Sequence, residues 1–184
     1  MPWVLASVSV ARDDYRENVS DSDRLRIGAE LGRRFSESFD GAIGVALDRR
    51  YGKSDLTDVP GYSGRVFDLQ GQSAHARVGY APNERLLLTA LLAVRRGDVE
   101  STAQQNYPIL LAADAIADDP AFRDPNLYAY RLPATTYSGT LSASWALSDR
   151  SSLNFAYVDN RARAGYGLAY NDRALTLSIA HRYP

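Results

Sequence analysis

Apolar and polar residues alternate with a period of two along most of this chain. Leu25, Ile27, Ala29 and Leu31 fall on one side of an extended segment; Arg26, Gly28, Glu30, Gly32 and Arg34 fall on the other. Ile43, Val45 and Leu47 oppose Ala42, Gly44, Ala46, Asp48 and Arg50, and Leu175, Leu177 and Ile179 oppose Thr176, Ser178, Ala180 and Arg182. Successive side chains of a strand point to opposite faces, so this pattern predicts half-buried strands. Eight are expected, at 3–13, 23–34, 39–51, 66–80, 85–96, 135–147, 151–161 and 173–183. Most are longer than the ~5–6 residues of an ordinary globular strand and match the ~9–11 that cross a bilayer core at a tilt.

The connections alternate in length. Ser36-Glu37-Ser38, Ala81-Pro82-Asn83-Glu84 and Ser148-Asp149-Arg150 are tight. The others, at 14–22, 52–65, 97–134 and 160–172, are long and polar. Within 97–134, Ile109 to Ala117 predicts a short helix ahead of the Asp-Pro breakers. A segment of this length is expected to cover the mouth of a barrel, fold inward as a plug, or bind an external ligand. Phe35, Tyr80, Trp145 and Tyr183 share the parity of their strands' aliphatic residues and flank the short turns. They are expected to form one girdle, because amphipathic rings favour the boundary of lipid and water.

Composition narrows the choice. The chain has 184 residues, enough for a single domain spanning 1–184, and a net charge of −1, which gives no electrostatic footprint for nucleic acid. It has no cysteine and two histidines, which excludes disulfides and thiolate sites and disfavours a histidine metal site. Asp114, Asp118, Asp119 and Asp124 lack EF-hand spacing, and no metal or other cofactor is expected. No apolar run reaches the ~18 residues of a membrane helix, whereas a barrel hides its apolar residues by alternation. The polar face is rich in Gly, Ala and Ser, which suits the inside of a narrow barrel. The expected lumen network is Arg26, Glu30, Arg34, Asp48, Arg50, His75, Arg77, Arg95 and Arg182. The guanidinium groups are suited to hydrogen-bonded ion pairs there. The resulting fold is an all-β, eight-stranded, antiparallel up-and-down transmembrane β-barrel with short periplasmic turns and long extracellular loops. A soluble ligand-binding barrel, with the aliphatic face inward, is the alternative.

On this pattern, and on the closing strand Leu175-Thr-Leu-Ser-Ile-Ala-His-Arg-Tyr183, the chain resembles Gram-negative bacterial outer-membrane β-barrels. Its end is similar to the C-terminal signal such proteins present to the barrel-assembly machinery, with Pro184 following the aromatic and His181 at a position more often apolar. Tyr157-Val-Asp-Asn-Arg161, Tyr170-Asn-Asp-Arg173 and the final strand weakly resemble the end of surface lipoprotein assembly modifiers. The resemblance implies an outer-membrane location, contact with outer-membrane lipid and lipopolysaccharide, and the assembly machinery as a transient partner. It implies a non-enzymatic envelope, surface-interaction or small-solute passage role. Two alternatives stand beside it: the C-terminal portion of a larger transport or secretion barrel, and a lipid A-modifying enzyme. For the enzyme, no Ser and His share a face at close sequence spacing around His181, and His75 reads as a lumen network member, so no catalytic residue is expected.

Overall fold

A computed structural model describes residues 1–14, 21–53, 61–118 and 124–182. Nine strands form one antiparallel sheet: β1 (Pro2–Asp13), β2 (Ser22–Arg34), β3 (Phe39–Gly52), β4 (Leu69–Asn83), β5 (Leu86–Gln104), β6 (Ala115–Asp118), β7 (Leu127–Ser148), β8 (Ser151–Ala164) and β9 (Ala169–His181). A helix, α1 (Tyr107–Ala112), precedes β6. The order is β1-β2-β3-β4-β5-β7-β8-β9, with β6 paired to β7 off this path. All eight expected long strands are present as an up-and-down meander. Local chemistry makes the turns: Asn83 Oδ1 accepts from the Arg85 and Leu86 amides at 2.9 and 3.1 Å, and Ser148 Oγ accepts from the Arg150 amide at 3.3 Å.

Five expectations change. The sheet has a ninth strand, and it does not close: among the described residues no pairing joins β1 to β9. The long 97–134 loop is largely structured. β5 continues to Gln104 and β7 begins at Leu127, so the two strands pair through 19 positions. The helix lies earlier than 109–117, because Asn106 caps it by accepting from the Ile109 amide at 3.0 Å, with Pro108 in its first turn. Ala115–Ala117 is instead β6, pairing with Ala129–Arg131. The expected loop 160–172 shrinks to a tight connection, because β8 and β9 pair as far as Arg163 and Ala169. Tyr166 (φ 56°) and Gly167 (φ 79°) turn the chain there, with the Ala164 amide donating to the Leu168 carbonyl at 3.0 Å.

The buried core sits at the end carrying the longer connections, not in the middle of the sheet. Ile109, Ala112, Ile116, Tyr130 and Leu132 form one cluster; Val66, Ala115, Ala117 and Ala129 form another beside it. Residues 61–68 lace this cap together. The Ile116 amide donates to the Ser63 carbonyl at 3.0 Å, Tyr62 Oη to the Leu110 carbonyl at 3.0 Å, and Arg131 Nη1 to the Arg65 carbonyl at 3.0 Å. The Tyr130 hydroxyl is buried without a hydrogen-bond partner among the described residues, and burial pushes its pKa up to about 12.

Candidate functional site

The two faces of the sheet differ in chemistry and in exposure. On the polar face, Ala42 and Ala46 are only 6% and 5% exposed. Glu30 on β2 and His75 on β4 meet above Gly44 on β3, with Glu30 Oε2 and His75 Nε2 2.7 Å apart. A Cβ at Gly44 would collide with the His75 imidazole and lie 2.9 Å from the Ala29 carbonyl oxygen. Arg77 joins this group at 3.6 Å from both Glu30 and Asp40, and its guanidinium lies 5.9 Å from the Trp3 ring centroid. Arg95 on β5 grips Asp48 on β3 through two bonds of 3.1 and 2.6 Å, crossing Gly71 on β4. A side chain at Gly71 would occupy the guanidinium's place. Nearer the cap, Arg50 pairs with Glu100, donates to Ser22 Oγ at 2.7 Å and lies 5.4 Å from the Phe67 ring.

Of the nine expected lumen residues, Glu30, His75 and Arg77 form one cluster, Asp48 and Arg95 a second, and Arg50 belongs to a third. Arg26, Arg34 and Arg182 are exposed and make no ion pair with a described residue. Arg26 stands opposite Asp48 in register, but the Asp48 carboxylate is taken by Arg95. Below Arg95 on β5, and across β7 and β8, the same face is neutral: Thr89 bonds Ser142, and Ser144 donates to Asn154 at 2.7 Å.

The opposite face is aliphatic and exposed along its length. Val45 is 60% exposed, Leu141 57% and Leu177 69%. A charged or amide residue ends this stripe on most strands, and the end point shifts steadily across the sheet. It lies beyond Val10 on β1 and beyond its partner Leu25 on β2. On β3 the last aliphatic residue is Leu47, two residues lower in register; on β4 it is Ala74, two lower again. The limit stays level through Val94 on β5 and Tyr137 on β7. It falls four residues to Tyr157 on β8 and holds at Leu175 on β9. The lower limit is flatter: Phe35 on β2 stands level with Phe39 and Tyr80, and Trp145, Leu153 and Ile179 lie two residues lower in register. The upper limit of the aliphatic band therefore runs obliquely, by about one residue per strand.

The expected girdle residues Phe35, Tyr80 and Trp145 stand at the lower limit, each at least 46% exposed. Phe35 packs on Phe39 with ring centroids 5.6 Å apart, and the Arg33 guanidinium lies 5.9 Å from the Phe35 ring. Tyr183 lies outside the described residues, as does Asp119. At the same end, Ser151 Oγ lies 2.9 Å from His181 Nδ1, a pairing the sequence conceals because 30 positions separate the two residues. Only the β8–β9 register brings them together. A Ser–His contact is a nucleophile–base arrangement, but both side chains are exposed here. Among the described residues no group of three or more His, Asp or Glu is placed to hold a metal ion, and no helix is long and apolar enough to cross a membrane.

No protein-family model matches this chain, and no curated protein matches its sequence.

Proposed function

We propose that this chain forms the wall of a non-enzymatic outer-membrane β-barrel, with its aliphatic face against lipid and its ion-paired face lining the lumen. The observation that carries this reading is the oblique band. A bilayer is a slab of constant thickness, and barrel strands cross it tilted by about 35–45°. A stripe that stays level in the slab must then step along successive strands. An eight-stranded barrel with a shear of 8 has strands tilted by about 36°, and the upper limit of the band here descends eight residues from β2 to β9. An aliphatic stripe facing water has no reason to follow such a slant.

Lipid also demands that both sheet edges be paired, since unpaired backbone groups in hydrocarbon cost several kcal/mol each. Matching the band limits places Val10 opposite Leu175 and Val8 opposite Leu177, closing β1 on β9 with Ser7 and Ser178 turned inward. Side chains fill the interior of a barrel of this size, which suits a structural or surface-interaction role. The unpaired edges favour a second reading, in which further strands complete a larger transport or secretion barrel and the polar face borders a wider channel.

Detergent extraction followed by a heat-modifiable gel shift, with flotation on phospholipid vesicles, tests the membrane reading. A monomer fully soluble without detergent overturns it. The Val10→Cys/Leu175→Cys pair separates the two architectures, because the natural chain has no cysteine to interfere. An intramolecular disulfide is the result for eight-strand closure. Its absence, with conductance across planar bilayers, is the result for the larger barrel.

A further inference from the structure

The parity of the polar face continues up β7 and β8 into the cap, and there a pocket of about 470 Å³ lies against Ile109 of α1. Its floor is alanine: Ala134 on β7 stands opposite Ala164 on β8, and Ala162 stands opposite Thr136. Its walls are large and apolar, with Ile109 and Leu132 from the cap core and Leu168 and Tyr170 from the β8–β9 turn. The hollow exists because three short side chains meet where four longer ones surround them. Ser101, Thr136 and Asn160 add neutral polar groups. The half-buried Thr136 hydroxyl and Asn160 carboxamide make no hydrogen bond with a described residue. The charges nearby are accounted for. Glu100 lines the pocket and pairs with Arg50. Arg95, the register partner of Thr136, is held by Asp48, and Asp172, the register partner of Asn160, stands outside the lining.

We propose that this pocket binds an uncharged, mainly apolar small molecule that carries a hydroxyl or carbonyl group. Its volume falls within the about 300–1,000 Å³ of small-molecule sites, and an apolar lining with a few convergent polar groups is their usual chemistry. The apolar body rests on the alanine floor between Ile109, Leu132 and Leu168. The hydroxyl or carbonyl meets Thr136 and Asn160. A carboxylate or ammonium gives up its hydration here and finds Glu100 already paired, which costs far more than burying a neutral group that is hydrogen-bonded. The pocket belongs to the polar face, so the inference does not depend on what covers the aliphatic band.

Protection of an introduced thiol tests this, because the natural chain has no cysteine. The full chain carrying Ala162→Cys, in non-ionic detergent, is labelled with the uncharged reagent methyl methanethiosulfonate. Three probes of one size are added in turn: phenethyl alcohol, phenylacetate and phenethylammonium. Phenethyl alcohol alone is expected to slow labelling, by about tenfold at ten times its Kd. Ser178→Cys, on the same face but outside the pocket, is labelled at an unchanged rate. Ala134→Leu fills the floor and abolishes the protection. Asn160→Leu keeps the bulk, removes the amide and weakens binding about fivefold, the worth of one neutral hydrogen bond; it decides the matter if Ala134→Leu fails to fold. Absence of protection overturns the assignment, as does equal protection by either ion, equal slowing at Ser178→Cys, or unchanged protection in a folded pocket variant. The assay runs equally in buffer, so a chain that needs no detergent refutes the membrane reading and leaves this test standing.

Discussion

The cap and the sheet are built for different surroundings. In the cap, Val66, Ile116 and Tyr130 are fully enclosed, and short segments with little pattern of their own are held by packing against β5 and β7. In the sheet, nearly every large aliphatic side chain of one face is exposed, and the strands are held by ladders and by ion pairs on the other face. The cap carries its own apolar core. Among the described residues the sheet encloses no large apolar side chain between its strands, and its aliphatic band stands exposed as one contiguous surface.

The contrast has measurable consequences. The largest belongs to the cap: Ile116→Ala leaves a hole in a fully enclosed cluster and costs about 2–5 kcal/mol, confined to the loop end. Limited proteolysis should then cut near residues 105–126 while the gel shift of the sheet survives; loss of both together would mean that cap and sheet fold as one unit. Next is Val45→Arg, in the middle of the band. If the band faces lipid, the change costs about 2–4 kcal/mol and reduces vesicle insertion, whereas the same change in water is close to neutral. Smaller is Gly44→Val, which forces the Glu30–His75 bridge apart at about 1–3 kcal/mol, read as a lower unfolding midpoint in denaturant.

The smallest effect is at Tyr130. Its pKa is raised from 10.0 to about 12 by burial, so the folded cap keeps the phenol neutral after an unfolded chain would have ionised it. Cap stability is full below pH 10 and falls as pH rises from 10 towards 12. Tyr130→Phe removes that dependence and changes stability little at neutral pH, because the hydroxyl has no partner among the described residues to lose. Amide hydrogen exchange of residues 107–118 across this pH range checks both statements.

Much of this architecture is readable without coordinates, and for a definite reason. Alternation assigns each side chain of a strand to a face, and tight turns such as Ala81-Pro82-Asn83-Glu84 mark where the chain reverses, so eight strands and their two chemistries follow from local pattern alone. β6 escapes that logic: four residues reading Ala-Ile-Ala-Asp carry no period, and they are extended because β7 offers an edge. The ends of β8 and β9 escape it too, since Arg161, Arg163 and Asn171 look like loop residues until pairing satisfies their backbone.

Within a face, neighbours are a matter of register. Glu30 and His75 meet because β3 places a glycine between them; Ser151 and His181 meet because β8 and β9 align at that point. A period of two repeats identically at every register, so it carries no record of which residue stands opposite which. Cross-strand packing resolves that ambiguity, and with it the charge pairs, the cap and the slant of the band.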